Sequence, residues 1–415
     1  MGTFLYTIFL NLYVAGIKLL SFWNVKADLW IKGRKTFPAV TFINSKDTKT
    51  IWMHCASLGE FEQGRPVIEN LKRQYPAVKI VLTFFSPSGY EVQKNYPGAD
   101  AVFYLPMDSK ANADKMIGAI NPSLVLWVKY EYWFYYLQAF KQQNIPVLLV
   151  SGIFRNSQPF FKWYGTTWKK ILPFFTHFFV QDEASEILLA GIGIDKNVTI
   201  SGDTRFDRVI EIAEQFEHIP LIQQFCGDSK VIVAGSTWED DETELIHYVK
   251  ANPQIKFIIA PHKIDAENLK DVKKEFVGSV FYSELLTTNQ STANVLIIDN
   301  VGMLSRLYYY AGITYVGGGF GDDGVHNVLE AAVYGKPVLY GPEFEKFIEA
   351  IELINCGGGI PIDNALELEE VLMKLWADEK LLQTTGESAK NYVHANAGAS
   401  EKISAFIQEK RLLIR

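Results

Sequence analysis

The chain has 415 residues, too many for one ordinary core at roughly 150 residues per domain. It is 48% hydrophobic and 21% charged, with 30 Gly and 16 Pro, which excludes a disordered chain, a collagen and a simple coiled coil. Forty basic against 47 acidic side chains give a net charge of −7, unlike a general nucleic-acid binder, which would usually be basic. Three cysteines, Cys55, Cys226 and Cys356, cannot all pair and none lies in C-x-x-C spacing. That pattern points to a reducing compartment and no structural zinc.

Charge reverses at the N-terminus. Residues 1–58 carry seven basic and two acidic side chains, a local +5 against −12 for the remainder. An uncharged apolar run from Thr3 to Ile17 precedes Lys18; it is short of the roughly 20 residues that span a bilayer. On a helical wheel Thr7, Asn11 and Lys18 fall together and leave a wide apolar face. Basic residues do not precede the run and no A-x-A site follows, unlike a signal peptide. The pattern predicts an interfacial or shallowly inserted anchor over residues 1–30, drawn to anionic headgroups by the basic residues behind it. The plainer alternative is a helix packed on its own domain.

Short apolar or β-branched runs then recur every 20–30 residues. They are Ile51–Ala56, Lys79–Ser86, Ala101–Pro106, Leu124–Val128, Pro146–Gly152, His177–Gln181 and Val198–Gly202, then Val231–Gly235, Phe257–Pro261, Val295–Asp299, Ile313–Gly318 and Pro337–Gly341. Helical patterns lie between most of them, so the sheets should be parallel and covered on both faces. Twelve such units exceed one open sheet. A polar stretch near 207–229 sets the boundary, giving residues 31–207 and 230–415 as two doubly wound α/β domains facing across a cleft, joined by 208–229.

In such sheets ligands bind beyond the carboxyl ends of strands. Four strand-end loops stand out. The first, His54-Cys-Ala-Ser57-Leu-Gly59-Glu60, enters a helix; Glu60 is either a partner of the helix dipole, the reading its local pattern favours, or a general base aimed into the cleft. The second is Thr83-Phe-Phe-Ser-Pro-Ser88-Gly89-Tyr-Glu91, whose hydroxyls and glycine suit an anion or sugar contact. The third, Gly235-Ser236-Thr237 followed by the acids Glu239–Glu242, suits a phosphate, with Thr237 and Asp240 also reading as a capping box. The fourth, Gly317-Gly318-Gly319-Phe-Gly-Asp-Asp-Gly-Val-His326-Asn327-Val-Leu-Glu330, reads as strand, glycine-rich loop and helix, a phosphate cradle. It is late in the chain for a dinucleotide fingerprint and lacks the lysine of a P-loop. The spacing puts His326 and Glu330 on one helical face, with Glu330 able to accept both hydroxyls of a ribose. The alternative is a glycine turn needed only for tight packing.

The ordered set His54–Glu60, Thr83–Glu91, Gly202–Asp207, Gly235–Glu242, Pro261–Lys263 and Gly317–Glu330 resembles the 3-deoxy-D-manno-octulosonic acid (Kdo) transferase family along nearly the whole chain. The resemblance implies a GT-B glycosyltransferase, without metal or cofactor, that moves Kdo from CMP-Kdo to a lipid A precursor in lipopolysaccharide synthesis. It implies an enzyme at the cytoplasmic face of the inner membrane, with membrane lipids but no nucleic acid as partners.

The family's Ser-x-Gly-Glu assigns Glu60 the role of catalytic base, reversing the local preference. Glu131, in Lys129-Tyr-Glu-Tyr-Trp133, matches the second acid of Glu-x-Glu-Leu-Trp; Lys129 stands at the first. Arg205 stands where the family has Lys. With Ser57, Gly59, Ser88 and Gly89, Glu131 and Arg205 are the candidate acceptor or anion contacts. Pro261-His262-Lys263 stands for Pro-Arg-His, and Gly317-Gly318-Gly319 for Gly-Gly-Ser. These six, with Gly235, Ser236, Thr237, His326, Asn327 and Glu330, are the candidate donor contacts. Phe160–Phe175, where aromatics interleave with Lys162, Lys169 and Lys170, is a candidate second lipid-facing surface or a core helix. Two other readings stay open: a UDP-sugar transferase such as a lipid-A-disaccharide synthase, and a membrane-tethered nucleotide-sugar binding protein without catalysis.

Overall fold

The computed structural model describes residues 2–38, 49–288 and 292–414. Two compact units divide the chain, residues 1–208 with 397–415 and residues 209–396.

The first unit is built on seven parallel strands: β1 (Thr50–Cys55), β2 (Lys79–Phe84), β3 (Ala101–Tyr104), β4 (Leu124–Val128), β5 (Val147–Gly152), β6 (His177–Val180) and β7 (Val198–Ile200), in the spatial order β3-β2-β1-β4-β5-β6-β7. Both faces are covered, so the strands read as nearly unbroken apolar runs. Side-chain alternation along β1 sends Ile51, Met53 and Cys55 into one core layer and Trp52 into the other. The order reverses between β1 and β4, the switch point where open α/β sheets form their crevice.

The second unit repeats the plan with β8 (Val231–Thr237), β9 (Lys256–Pro261), β10 (Val280–Phe281), β11 (Val295–Ile297), β12 (Ile313–Val316), β13 (Val338–Tyr340) and β14 (Gly359–Pro361). All are parallel, ordered β10-β11-β9-β8-β12-β13-β14. Its switch point lies between β8 and β12. β10 and β14 are two edge strands the sequence pattern does not reveal.

Two differences from the sequence division stand out. The polar stretch expected as a linker is largely helical, over Thr204–Glu214 and Pro220–Cys226, and lies mostly in the second unit. The last residues, expected in the second domain, belong to the first. Helix Ala399–Glu409 sends Ile403 and Ile407 into the core layer that holds Ile51 and Met53, and Asn70 Nδ2 donates to Ser404 Oγ at 3.1 Å. Asp207 accepts the N–H groups of Gly398 and Ser400, fixing the start of that helix.

Helix α1 (Gly2–Leu20) is 19 residues long, longer than the uncharged run, and by length and composition can cross a membrane. It is docked on residues that follow β2, β3 and β4. Tyr6 OH donates to Asp108 Oδ2 at 2.7 Å, Thr7 Oγ1 and Tyr135 OH lie 2.8 Å apart, and Leu10 is buried. The expected polar stripe is thus split: Thr7 faces the protein, while Asn11 and Lys18 are exposed. Phe4, Leu5, Ile8, Phe9, Leu12, Leu19 and Leu20 are exposed. A second helix, α2 (Val25–Lys32), leads to Arg34. The Arg34 guanidinium donates to the carbonyls of Leu105 (2.8 Å), Phe85 (2.6 Å) and Trp30 (3.2 Å) and lies 3.9 Å from the Trp30 ring centroid.

Candidate active site

In the first unit the loops leaving β1 and β4 flank the switch point, and both carry an acid. Helix α3 (Leu58–Gln74) begins directly after β1 with Ser57 as its N-cap. Glu60 sits in its first turn, and its carboxylate turns back to accept the Ala56 N–H. Only 9% of Glu60 is exposed. Burial, then the charge of Glu131, pushes its pKa up to about 7 against the opposing pull of the Ala56 N–H and Lys129. The two readings of Glu60 are therefore compatible: the backbone orients the carboxylate at the helix start, and its surroundings raise its pKa.

Glu131 follows β4 on a loop entered through Lys129, a residue with φ of +55°. Glu131 Oε2 lies 2.7 Å from His54 Nε2 and accepts from Trp133 Nε1 at 3.1 Å. The indole N–H of Trp127 donates to the Glu131 carbonyl. Tyr130 on the same loop senses the charges of Arg155, Glu60, Arg205 and Asp203, so basic groups reach this neighbourhood. Arg205 is not a free cation. It is paired with Asp203 at 2.8 Å, and although burial works to raise Asp203, Arg205 holds its pKa below the usual range.

The remaining first-unit candidates divide. The half-buried Ser57 makes no side-chain capping bond to its helix, and a Cβ on Gly59 would meet nothing within 4 Å, so Gly59 faces open space. Ser88 is exposed and bonds the Ser86 hydroxyl at 2.7 Å. Gly89 is a correction: a Cβ there would stand 2.3 Å from the Phe84 ring, so this glycine lets its helix close on β2 rather than exposing backbone to a ligand.

In the second unit the loops leaving β8, β9 and β12 meet. A register irregularity at the end of β8 puts Ser236 in the left-handed region at φ +55°, a costly conformation typical of functional turns. Gly317 and Gly319 bear no Cβ because the chain needs the room: one would lie 2.4 Å from the Ser236 carbonyl, the other 2.6 Å from the Gly341 nitrogen. Gly318, between them, has φ +94°.

Asp241 ties these loops together, and the sequence reading passed over it. Its carboxylate accepts from Tyr315 OH (2.8 Å), Gly318 N–H (2.8 Å) and Trp238 N–H (2.9 Å). The expected cap of Thr237 with Asp240 is thereby shifted one residue on. The Thr237 hydroxyl instead donates to Glu242 at 2.8 Å. Burial, then the neighbouring Asp241, pushes Glu242 up to about 7 against the bond from Thr237.

Two expectations for phosphate binding are corrected. Helix Glu239–Ala251 carries four acids in its first turn, so its dipole is already complemented. After the glycine loop the helix is only Leu329–Ala332. His326 and Asn327 lie before it, so His326 and Glu330 do not share a helical face. The loop cannot wind helically because Gly324, at φ +80°, turns the chain and Val325 N–H pairs with the Glu343 carbonyl. Asn327 Nδ2 donates to Glu330 Oε1 at 3.0 Å.

What the loops present is an aromatic platform. His262 stacks on Trp238 (4.6 Å between centroids) and on His326 (4.5 Å), while Trp238 Nε1 donates to His326 Nε2 at 3.0 Å. His326 Nε2 is thus an acceptor, which puts the ring proton of the neutral form on Nδ1. Burial, then His262, holds the His326 pKa down at about 4, and burial with Lys263 lowers His262. Lys263 Nζ lies 4.6 Å from the Trp238 ring centroid. Pro261 ends β9, and the following His262 N–H donates to the Thr237 carbonyl at 2.9 Å. Trp238 was not among the sequence candidates; an indole directly after Gly-Ser-Thr at a strand end was the available signal.

Two seven-stranded parallel α/β units place this chain in the GT-B class. An example among solved structures is the UDP-GlcNAc 2-epimerase of Neisseria meningitidis, with a TM-score of 0.63 at 18% identity, covering 87% of this chain and 100% of that one. The sequence relationship is more specific. Residues 31–208 match the family described as 3-deoxy-D-manno-octulosonic-acid transferase (kdotransferase). The 3-deoxy-D-manno-octulosonic acid transferase of Aquifex aeolicus is 27% identical over 86% of this chain and 93% of its own. A bifunctional glycosyltransferase/methyltransferase of Fusobacterium nucleatum is 28% identical over 90% of this chain, which spans only 57% of that protein's length. The chain is thus similar to Kdo transferases over most of its length and matches their family over residues 31–208.

Proposed function

We propose that the chain is an inverting glycosyltransferase that moves Kdo from CMP-Kdo to a lipid A precursor at the cytoplasmic face of the inner membrane. The observation that carries this is Glu60, the acid of the family's Ser-x-Gly-Glu pattern, buried and held near neutral pKa. A carboxyl with that pKa both accepts a proton readily and is substantially ionised at neutral pH.

In the reaction the acceptor hydroxyl oxygen bonds to the anomeric carbon of Kdo as its proton passes to Glu60. The bond from that carbon to the CMP phosphate breaks, and the electron pair leaves with the phosphate. Attack on the face opposite the leaving group inverts the centre. Ser57 and the open space at Gly59 suit the acceptor. The platform of Trp238, His262 and His326 suits the nucleotide, with Lys263 and the Nδ1–H of His326 as donors to the departing phosphate. Glu330, beside Asn327, suits the ribose. Support for the leaving group thus comes from side chains rather than helix dipoles.

A membrane-resident acceptor fits the exposed apolar face of α1. It also fits the segment from 159 to 175, which combines both readings of its sequence: Phe160, Ile171, Leu172 and Phe175 are core, while Trp163 is 92% exposed beside Tyr164, Trp168 and the lysines. Aromatic rings flanked by lysines suit an anionic interface.

Incubation with a lipid A precursor and either CMP-Kdo or UDP-N-acetylglucosamine tests the proposal. Consumption of CMP-Kdo alone is expected; consumption of the UDP-sugar in its place would overturn it. Deleting residues 1–25 should release the protein from anionic vesicles, and retention would remove α1 from its role.

A further inference from the structure

His54 is completely buried, yet it belongs to none of the roles described above. Side-chain alternation puts it on the same face of β1 as Trp52, and register puts it between Thr83 of β2 and Trp127 of β4. Its ring lies 4.3 Å from that of Trp127. Both ring nitrogens are engaged: Nδ1 is 3.0 Å from Thr83 Oγ1 and Nε2 is 2.7 Å from Glu131 Oε2.

The Thr83 bonds decide where the proton sits. Trp52 Nε1, a donor only, lies 2.8 Å from Thr83 Oγ1. The threonine oxygen therefore accepts from Trp52, and its own hydroxyl hydrogen has His54 Nδ1 as its acceptor. Nδ1 is then unprotonated, and the single proton of a neutral ring is on Nε2, directed at Glu131. A doubly protonated His54 would leave the Thr83 hydrogen without an acceptor in a closed core, which is costly.

We propose that His54 is a positioning residue that, as the Nε2–H tautomer, holds the Glu131 carboxylate in place beside Glu60, the base that takes the acceptor proton. This deepens the reading of Glu60 as the base and rests on it. Two N–H groups fix the Glu131 carboxylate, one from His54 and one from Trp133. A fixed negative charge disfavours a second one nearby. The other charged or titratable groups at this pair are Cys55 on β1, Lys129 and Tyr130 on the Glu131 loop, and Glu62 on α3. Arg34 and Tyr13 face Glu131, and Asp203, Arg205 and Arg155 reach Tyr130.

The test is the pH profile of kcat/KM together with the tautomer. In His54→Asn the amide reaches toward Thr83 but not Glu131, so the Glu131 carboxylate is no longer held beside Glu60 and its upward push on Glu60 weakens. The acidic limb of the profile should move down on the order of one pH unit. Glu131→Gln should move it the same way, and the double variant no further. His54→Gln, whose longer amide can donate to Glu131, should restore the limb. A limb that stays put in His54→Asn and Glu131→Gln, with only kcat reduced, would mean a structural role and overturn the proposal. A ¹⁵N–¹H correlation spectrum of the unmutated protein needs no variant to fold: the proton on Nε2 is expected, and a proton on Nδ1 overturns the assignment. Full turnover in Glu60→Gln would instead remove Glu60 as the base, whereas an inactive Glu60→Gln with an unmoved limb defeats this inference alone.

Discussion

Two buried acids that open helices after switch-point strands, Glu60 in the first unit and Asp241 in the second, are held differently. In the first, the Glu60 carboxylate accepts backbone N–H groups at the start of its own helix, and burial with Glu131 raises its pKa to about 7. In the second, Asp241 is bonded on both oxygens to three different donors. Burial raises the pKa of Asp241 as well, against the pull of its donors, but its bonds clamp three segments of chain into a platform, which those of Glu60 do not. Position at a strand end does not distinguish them, since each follows a switch-point strand and opens a helix. The number of fixed donors does.

The largest effect expected from this contrast is on Glu60. Glu60→Gln should lower turnover at least ~100-fold while CMP-Kdo binding is kept, as measured by initial rates and calorimetry. Loss of donor binding with it would blur the contrast. Asp241→Asn should do the reverse. The amide keeps its oxygen on the Gly318 and Trp238 N–H groups only by turning its NH2 onto Tyr315 OH, and the charge that strengthens those bonds is lost, so donor affinity should fall about 10-fold, with the acidic limb unmoved.

A smaller effect is on stability. The folded pKa of Glu60, about 7, lies above its ordinary value of 4.5, so the folded state binds more protons between those values and is destabilised as pH rises through them. Glu60→Gln removes that penalty while its carbonyl still accepts the Ala56 N–H. The variant should be more stable than the parent at pH 8 by on the order of 1–3 kcal/mol, the difference fading below pH 4.5 in urea titrations. The smallest effect concerns His326. With its pKa near 4 the ring is neutral from pH 5.5 to 8, so its NMR signals should stay fixed there; titration near 6.5 would mean that the platform is open to water.

The strands were largely legible because parallel sheets covered on both faces need continuous apolar runs, and the loops because glycine and hydroxyl residues mark strand ends. What the sequence hid has physical causes. β10 has two residues and β14 contains Pro361, so neither makes a run. Helix Ala399–Glu409 has the same amphipathic pattern whichever core it covers; its return to the first unit rests on Asp207 and Ile403. The i,i+4 spacing of His326 and Glu330 suggested a shared helical face, but Gly324 turns the chain before any helix forms. Acids after a strand look like caps, and only the fold brings Tyr315 and Gly318 to Asp241. His54 looked like one more residue of a buried strand until register set Thr83 beside it.

The most direct test is the mass of the product formed from CMP-Kdo and a tetraacylated lipid A precursor by the parent chain and by Glu60→Gln. The account predicts that the parent adds Kdo and the variant adds almost none in the same time. An unmodified acceptor with the parent, or equal addition by both proteins, would contradict it.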